Sequence, residues 1–412
     1  MAIIVQKFGG TSVADSDKIR RAAARAINAV RKGHQVVIVA SARGKQTDQL
    51  VADAQELNPE PPKREMDQLL STGEIQTVSL FAMALEHMGY PAISFTGTQI
   101  QMVTDSVFSK ARIRSIGSKR IHQELDKGKI VLIAGFQGID KHKNVTTLGR
   151  GGSDTTAVAI AAVLGAKECE IYTDVDGIYS TDPRIYKKAA KMKHISYDEM
   201  LELASLGAGV MHSRAVEFGK KYDVNIHVRS SKEDSEGTII THEVPQMEDV
   251  VVSGATIQKD MAKLDIVGID NQPGNAARVF EHLAKAKVVV NDIIQTEISK
   301  DKANLSFTTS MSDLPEVRKA IEELKEKVHY ERLFERDDIA EISIVGVGMR
   351  SHYGVADKMF GALARAKVNI DSITTSEIRI SCIVDKSQAK QALKTVCEAF
   401  ELDKPIEKRA KP

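Results

Sequence analysis

One short stretch of the chain combines three glycines, an arginine, an aspartate and four hydroxyl groups: Thr147-Leu148-Gly149-Arg150-Gly151-Gly152-Ser153-Asp154-Thr155-Thr156. Apolar segments flank it at 130–134 and 157–164, so it is predicted to be a loop that opens a helix. Glycines let the backbone approach a ligand closely, and a helix start attracts an anion. Arg150 adds a planar fork for a carboxylate or phosphate, whereas Asp154 requires a cation between itself and such an anion. The alternative is a glycine-rich turn with an ordinary N-cap.

The length and composition of the chain exclude several classes of protein. With 412 residues it is too long for one ordinary core, so we expect two or three domains. Its 42% hydrophobic and 27% charged residues are typical of a soluble globular protein. The net charge of +1 gives no electrostatic reason to bind nucleic acid or an anionic membrane. We expect no membrane span and no signal peptide, and three cysteines without metal-type spacing indicate a reducing, cytoplasmic location.

Apolar strands and helices alternate over the first 240 residues. The predicted strands are 2–8, 36–40, 92–95, 130–134, 170–173 and 225–228, and the predicted helices include 16–32, 64–88, 197–205 and 211–221. Continuous apolar runs are typical of buried parallel strands. The pattern therefore predicts an α/β fold with a mostly parallel sheet and helices on both faces. Ligands bind such sheets at the carboxyl ends of the strands, where the polar loops of this chain should converge.

The C-terminal part contains an internal repeat. Ile266-Val267-Gly268-Ile269 matches Ile344-Val345-Gly346-Val347, and Ala286-Lys287-Val288 matches Ala366-Lys367-Val368. Each copy is predicted to be an α+β unit of about 70 residues, too small to bury a core alone, so the copies should pack together or with a second chain. The alternative is that they are only a dimerisation scaffold. We place the catalytic domain at 1–240, a linker and first regulatory strand at 241–263, and the two copies at 264–336 and 337–412.

Two loops carry residues suited to a nucleotide. The first, Lys7-Phe8-Gly9-Gly10-Thr11-Ser12, ends a predicted strand, and its ammonium and N–H groups suit a transferring phosphoryl group. The second is Thr173-Asp174-Val175-Asp176-Gly177-Ile178-Tyr179 with Asp182-Pro183-Arg184. The alternatives are a solvated lysine before a turn and, for Asp176, an ordinary turn residue. The chain lacks G-x-x-x-x-G-K-[ST], so a P-loop fold is not supported.

A third loop, residues 41–48, and Glu74 on the neighbouring predicted helix suit an amino acid. The hydroxyl of Thr47 would bond a carboxylate, and Glu74 would pair with an α-ammonium group. The alternative for Glu74 is an ordinary exposed helix residue. The spacing of the histidines indicates no zinc site, so we predict no metal bound by the protein alone.

Taken together, these motifs resemble the aspartate kinases of the amino-acid kinase family. The resemblance rests on the segments at 7–13, 147–156, 174–179 and 181–184 and on the repeat, so it covers essentially the whole chain. It implies an amino-acid-kinase three-layer α/β sandwich followed by two ferredoxin-like ACT domains that bind amino-acid effectors.

The resemblance also implies a reaction. The γ-phosphoryl group of ATP, accompanied by Mg²⁺, would pass to the side-chain carboxylate of L-aspartate and give 4-phospho-L-aspartate, the first step towards lysine, threonine and methionine. Lys7 would stabilise the transferring group, and Asp154 would organise Lys7. The implied ATP site further comprises Gly9, Gly10, Ser41, Thr173, Asp174, Tyr179, Asp182 and Arg184. The implied aspartate site comprises Thr47, Glu74, Arg150, Gly152 and Ser153.

The implied effector site lies in the repeat. In the first copy it comprises Asn271, Pro273, Gly274, Ala276, Asn291, Asp292 and Gln295, and in the second copy Asn369 and Ile370. Lysine is the expected inhibitor, with threonine as a second candidate. A homo-oligomer, dimeric or tetrameric, is expected to form through the ACT domains. Some relatives start a separate regulatory subunit internally, and Met247 is the corresponding candidate here.

Two rival functions remain open from the sequence. One is a kinase of the same fold that acts on another small carboxylate or on a nucleotide, and the tandem repeat together with Arg150 and Glu74 argues against it. The other is a non-catalytic amino-acid sensor, and the presence of Lys7, Arg150 and Asp154 argues against that.

Overall fold

The structure is a computed structural model, and it describes residues 2–207, 209–242, 244, 251–325 and 327–409. The chain forms two compact units, one comprising Met1–Ser180 and Ala190–Met247, the other Thr181–Ala189 and Glu248–Pro412. The candidate internal start, Met247, lies outside the described residues.

The first unit contains strands and helices that alternate along much of its length. Its strands are β1 (Ile3–Phe8), β2 (Gln35–Ala40), β3 (Ala92–Phe95), β4 (Val103–Thr104), β5 (Ile113–Ser115), β6 (Ile130–Ala134), β7 (Gln137–Ile139), β8 (Val145–Thr147), β9 (Glu168–Thr173), β10 (His194–Ser196), β11 (Asn225–Ser230) and β12 (Thr238–Thr241). Its helices are α1 (Ser16–Arg31), α2 (Gln46–Leu57), α3 (Lys63–His87), α4 (Lys119–Leu125), α5 (Gly152–Val163), α6 (Tyr197–Ser205) and α7 (Ser213–Tyr222).

The main sheet of this unit has eight strands in the order β10-β12-β11-β9-β1-β2-β6-β3. All neighbouring pairs are parallel except β11 and β12, which are antiparallel. Strand β6 is buried along its whole length, which explains its continuous apolar sequence. The chain leaves β1 for β2 on one side and later returns to β9 on the other, so a crevice opens at the carboxyl end of β1.

Helices cover both faces of the main sheet. Helices α1 and α3 pack on one face, where Ala23, Ala26, Phe81 and Leu85 join Phe8 of β1 in a single hydrophobic cluster. Helix α5 lies against the other face and is buried nearly all round, in agreement with the wholly apolar run 157–163 that follows its polar start. The structure therefore confirms the predicted α/β sandwich with a mostly parallel sheet. None of the described helices is both long and apolar enough to cross a membrane.

A small second sheet, which the sequence patterns did not predict, lies between α3 and α5 in the chain. Its strand order is β5-β4-β7-β8, and each strand has only two or three residues. Such strands are too short to show an alternating pattern. Strand β8 ends at Thr147, so this sheet delivers the chain to the glycine-rich stretch.

The second unit contains the two repeat copies. The first copy consists of β14 (Met261–Asp270), α8 (Asn275–Lys285), β15 (Val290–Glu297), β16 (Lys302–Ser310), α9 (Leu314–Leu324) and β17 (Arg332–Arg336). The second consists of β18 (Ile339–Val345), α10 (Val355–Arg365), β19 (Ser372–Thr375), β20 (Arg379–Asp385) and α11 (Ala389–Ala399). Both follow the predicted order of strand, helix, two strands and helix.

The second copy is completed by a strand that precedes the first copy in the chain. Strand β13 (Gly254–Gln258) pairs antiparallel with β18, and the sheet order β13-β18-β20-β19 corresponds to β17-β14-β16-β15 in the first copy. Residues 254–258, which lie in the range predicted as the linker and first regulatory strand, therefore take the position that β17 holds in the first copy. The segment Thr181–Ala189, placed in the catalytic domain from sequence, likewise belongs to the second unit.

Candidate active site

A cavity of about 460 Å³ opens at the carboxyl ends of β1 and β2 and at the start of α5. Its lining includes eight residues predicted from sequence: Lys7, Ser41, Thr47, Glu74, Arg150, Gly152, Ser153 and Asp154. Leu70, Ser109, Phe136, Thr147, Gly149 and Gly151 complete the lining. Loops distant in the sequence thus converge on one cavity because parallel strands bring their carboxyl ends to the same edge.

Lys7 and Asp154 form an ion pair in this cavity. Lys7 lies one residue before the end of β1, and Asp154 lies in the first turn of α5. Their side chains are only 10% and 15% exposed, so the pair is held in partly desolvated surroundings. The side chain of Gly9 is a single hydrogen, and a Cβ there would stand 3.6 Å from the Lys7 ammonium. The Lys7 ammonium is therefore the cation that Asp154 needs if an anionic ligand binds nearby.

Glu74 is buried rather than exposed on its helix. Only 4% of the residue is accessible, and Oε1 accepts a hydrogen bond from the backbone N–H of Ala42 at 3.0 Å. The other oxygen, Oε2, is buried and has no hydrogen-bond partner among the described residues. Burial raises the pKa of Glu74 from its ordinary value of 4.5 to about 7, although the Ala42 N–H opposes that rise. A buried acceptor without a partner, in the wall of a cavity, is suited to a cationic ligand group.

The glycine-rich stretch is held in a shape that needs its glycines. Gly151 has φ +67°, and a Cβ there would lie 2.2 Å from the Cβ of His212. A Cβ on Gly152, the first residue of α5, would meet the ring of Phe136 at 2.7 Å. Arg150, which directly precedes these two glycines, is exposed, and the described residues offer it no hydrogen-bond or ion-pair partner. Its guanidinium is therefore available to an anionic ligand.

Two residues that hold this stretch were missed by the sequence reasoning. Asp67, fully buried in α3, accepts hydrogen bonds from the backbone N–H and hydroxyl of Thr147. Arg214, in α7, donates to the carbonyl oxygens of Leu148 at 2.6 Å and Ala111 at 3.1 Å. For Asp67 the sequence does carry one signal, because it lies seven residues, or about two helical turns, before Glu74.

A second, smaller cavity of about 190 Å³ lies beside the loop that follows β1. Thr11, Ser12, Lys18, Arg21, Asp174, Ser231 and Lys232 line it. Three cations and three hydroxyl groups around one space are suited to phosphate oxygens. Of these, only Asp174 was among the predicted site residues. Lys18, Arg21 and Lys232 were missed because charged residues on a helix and in a loop usually face solvent.

The loop that bears Lys232 is anchored from two sides. Arg25 of α1 donates to the carbonyl of Glu233 at 2.7 Å and lies over the ring of Tyr172. Arg229 of β11 pairs with Glu170 at 2.8 Å and reaches Asp234 at 3.5 Å. The Tyr172 ring in turn stacks on Phe8, next to Lys7. These contacts fix the position of the loop relative to β1.

The other predicted nucleotide residues are partly engaged with one another. The backbone N–H of Gly9 donates to the carbonyl of Tyr172, and a Cβ on Gly10 would lie 2.5 Å from the carbonyl oxygen of Ala42. The hydroxyl of Thr173 donates to Asp174 at 3.1 Å.

Tyr179, Asp182 and Arg184 have local partners. Tyr179 donates to Asp176, which also pairs with Lys191. Asp182 and Arg184, both in the second unit, form a bidentate pair with each other. Asp176 thus acts as a structural turn residue, as its alternative interpretation held.

One group of possible metal ligands occurs in the described part of the chain. Glu168, Glu170 and His227 offer ligand atoms within 4.8 Å of one another. All three are already engaged, because Glu170 pairs with Arg229, and His227 contacts Glu168 at 3.1 Å and the carbonyl of Glu236 at 2.6 Å. The group is explained as a hydrogen-bond network between β9 and β11.

A third cavity, of about 440 Å³, lies in the first repeat copy between the β14–α8 turn and β15. Its lining includes the predicted residues Asn271, Pro273, Gly274, Ala276 and Gln295. Asn291 is exposed outside it, and Asn369 and Ile370 belong to the connection before β19.

Asp292, which was predicted for the effector site, does not line this cavity. It accepts hydrogen bonds from Thr374 at 3.1 Å and from Arg379 at 3.3 Å, and so bridges the two copies.

Comparisons with known proteins identify the family of this chain. Residues 2–230 match the model of the amino acid kinase family, and residues 342–400 match an ACT domain model. The aspartokinase of Bacillus sp. (strain MGA3) is 48% identical over 402 residues, which cover 98% of each chain. Escherichia coli aspartokinase III in complex with aspartate and ADP has a TM-score of 0.83 at 25% identity, covering 97% of this chain and 100% of that one. The same enzyme in complex with lysine and aspartate has a TM-score of 0.74 at 25% identity, covering 96% and 99%. The chain therefore belongs to the amino acid kinase family, within its aspartokinase branch.

Proposed function

We propose that this chain transfers the γ-phosphoryl group of ATP to the side-chain carboxylate of L-aspartate, giving 4-phospho-L-aspartate. The observation that carries the proposal is the convergence of Lys7, Glu74, Arg150 and Asp154 on one cavity. The cavity thus offers an anionic and a cationic group for an amino acid and an ammonium for a phosphoryl group. The complex of E. coli aspartokinase III with aspartate and ADP supports the same pair of ligands.

Aspartate would bind between Glu74 and Arg150. The unpartnered Oε2 of Glu74 would accept from the α-ammonium group, and Arg150 would bind a carboxylate in bidentate fashion. Thr47, Ser153 and the N–H groups at Gly152 would hold the remaining oxygens. The positive charge of the bound α-ammonium group would lie next to Glu74, so binding would favour the ionised form of the Glu74 carboxylate.

Phosphoryl transfer would take place at the Lys7 end of the cavity. A carboxylate is already nucleophilic at neutral pH, so the protein has to position it and neutralise charge. The Lys7 ammonium would stabilise charge on the transferring group, and Asp154 would keep that ammonium in place.

ATP would extend from the Lys7 end, past Gly9, Gly10, Ser41 and Thr173, towards the smaller cavity, where Asp174 lies with Lys18, Arg21 and Lys232. Tyr179, Asp182 and Arg184 remain proposed members of the ATP site. Mg²⁺ would accompany ATP and be held mainly by the phosphates, with Asp154 as the hard oxygen ligand that the cavity offers. When bound, the metal would neutralise phosphate charge.

Regulation would operate through the cavity of the first repeat copy. Asn271, Gly274 and Gln295 would bind an amino-acid inhibitor, lysine first and threonine as a second candidate. The complex of E. coli aspartokinase III with lysine and aspartate supports lysine as the ligand. The second copy, with Asn369 and Ile370, would bind a different effector or none.

Assembly and location also remain proposals. Assembly through the ACT domains into a dimer or tetramer, a subunit started at Met247, and a cytoplasmic location all follow from the family resemblance or the cysteine content. Our proposed domain limits follow the sequence ranges, with 181–189 reassigned to the regulatory unit and 254–258 as the first regulatory strand.

The proposed reaction can be tested directly. Purified protein is incubated with ATP, Mg²⁺ and either aspartate or glutamate, and the acyl phosphate is trapped with hydroxylamine. We expect aspartyl hydroxamate, little glutamyl hydroxamate, and inhibition by lysine. Absence of aspartyl hydroxamate would overturn the proposal, whereas a preference for glutamate would assign the chain to a different acceptor.

A further inference from the structure

Asp67 makes an unusually complete set of hydrogen bonds for a residue that does not line the active-site cavity. It is fully buried on α3. Its Oδ2 accepts from the backbone N–H groups of Thr147 at 2.8 Å and Ser109 at 2.9 Å. Its Oδ1 accepts from the hydroxyl groups of the same two residues, at 2.7 Å and 3.3 Å. One carboxylate therefore joins α3 to two separate loops.

Both loops belong to the wall of the cavity. Thr147 ends β8 and stands three residues before Arg150, and Ser109 lies beside Gly149, whose Cβ would come within 2.8 Å of the Ser109 carbonyl oxygen. Thr147, Ser109 and Arg150 all line the cavity, whereas Asp67 does not. Asp67 thus sets the position of the loop that carries Arg150.

The same helix face also carries Glu74. Asp67, Ser71 and Glu74 are all buried, and their spacing of four and then three residues places them on one stripe. Farther along this stripe, Val78 and Phe81 enter the hydrophobic core. Helix α3 therefore holds Glu74 directly and the Arg150 loop through Asp67, and both Glu74 and Arg150 line the cavity.

We propose that Asp67 is a positioning residue that sets the separation between Glu74 and Arg150, and thereby the affinity for an amino acid with a short acidic side chain. This inference rests on the proposed function, because it assumes that those two groups bind the two ends of aspartate. A misplacement of about 1 Å in a binding group is enough to weaken a reaction by up to roughly a hundredfold.

Substitutions at this position separate hydrogen bonding from charge. Asp67→Ala leaves the buried N–H group of Thr147 and the part-buried N–H group of Ser109 without their acceptor. Asp67→Asn keeps the shape, because its amide oxygen can accept from both N–H groups and its NH₂ can donate to the two hydroxyl oxygens. Glu86→Ala is the matched control, since Glu86 is a carboxylate on the same helix that accepts from a backbone N–H, that of Ala92, near the other end of α3.

Steady-state kinetics of these variants test the inference. For Asp67→Ala we expect the KM for aspartate to rise at least about tenfold while the KM for ATP changes by less than about threefold. Asp67→Asn should keep the KM for aspartate within about threefold of wild type, and Glu86→Ala should leave both constants unchanged. A purely structural role would lower the active fraction without raising the KM for aspartate, and that result would overturn the inference.

A measurement independent of catalysis separates this inference from the proposed function. Hydrogen–deuterium exchange of peptides spanning 107–112 and 145–152 should be faster in Asp67→Ala than in wild type and unchanged in Asp67→Asn. Unaltered exchange in Asp67→Ala overturns the positioning role even if wild type phosphorylates aspartate. If wild type does not phosphorylate aspartate, the proposed function fails and the specific role in aspartate affinity fails with it. If Asp67→Ala does not fold, Asp67→Ser replaces it, because serine keeps a polar side chain that is one carbon shorter than that of aspartate.

Discussion

Lys7 and Asp154 form an ion pair that joins the end of strand β1 to the first turn of helix α5, at the edge of the sheet where β1 ends. The pair is mostly shielded from water, so the carboxylate holds the ammonium in one place. An ammonium fixed in this way requires little reorganisation when negative charge develops on a transferring phosphoryl group.

Removal of the ammonium should therefore affect the chemical step most. Lys7→Ala should lower kcat at least about a hundredfold, because a charge contact to the transition state is lost. Stopped assays at saturating aspartate and ATP measure kcat. Lys32→Ala, at an exposed position after α1, is the control and should retain wild-type activity. An unchanged kcat in Lys7→Ala would remove Lys7 from the mechanism.

Arg150 should contribute to the binding of aspartate rather than of ATP. Arg150→Ala should raise the KM for aspartate at least about tenfold, because a charged bidentate contact is lost, with a much smaller effect on the KM for ATP. The two constants are measured by varying one substrate at a saturating concentration of the other. Arg20→Ala, at an exposed arginine of α1, serves as the control. An equal rise in both constants would assign Arg150 to the phosphates instead.

Glu74 should make aspartate affinity depend on pH. Burial raises its pKa to about 7 in the free protein, so the ionised form that would bind the α-ammonium is largely lost as the pH falls from 8 to 6. The KM for aspartate should rise by roughly tenfold over that range in wild type. In Glu74→Gln it should be higher at pH 8 and nearly independent of pH. A parallel pH profile for the two proteins would exclude Glu74 as the titrating group.

The same pKa shift predicts an effect on stability without ligand. The folded protein retains the Glu74 proton up to about pH 7, whereas the unfolded chain loses it near pH 4.5, so this group lowers the free energy of unfolding as the pH rises between those values. From pH 5 to 8, wild type should lose about 2 to 3 kcal/mol relative to Glu74→Gln. Denaturation of both proteins at the two pH values measures this difference. A constant difference would mean that Glu74 is ionised throughout.

Gln295 should affect inhibition but not catalysis. Gln295→Ala should raise the lysine concentration for half-inhibition at least about fivefold, because the side chain lines the cavity of the first repeat copy. The kcat without lysine should stay within about twofold of wild type, since effector coupling is separable from catalysis. Glu297→Ala, at an exposed position of the same strand and outside the cavity, is the matched control. Similar effects of both substitutions would place the effector elsewhere.

Much of the fold could be predicted because its signals are local. The apolar runs and helical periods predicted α1, α3 and β6 to within a residue or two, and helix α6 at its observed limits. The loops at Lys7 and Arg150 were recognisable because glycines, hydroxyl groups and charges occur together beside apolar strands. The repeat was recognisable because two stretches of the chain have similar residues in the same order.

Other features depend on contacts that no local pattern specifies. The burial of Glu74 follows from the packing of α3 against the β2 loop, where Ala42 donates to its carboxylate. Asp67 is one acidic residue among many in the sequence, and only the approach of Thr147 and Ser109 gives it a role.

The sequence by itself determined the α/β class, the repeat and most of the cavity residues, because hydrophobic period and turn chemistry act over a few neighbouring residues. Only the tertiary structure decided that β13 completes the second repeat copy and that Asp292 bridges the two copies. An apolar pattern indicates that a strand is buried, but it does not indicate which strand pairs with it, since strands of similar composition can pair with the same sheet edge. The opening stretch likewise became a site only when Lys7, Glu74 and Asp67 were brought to it from other parts of the chain.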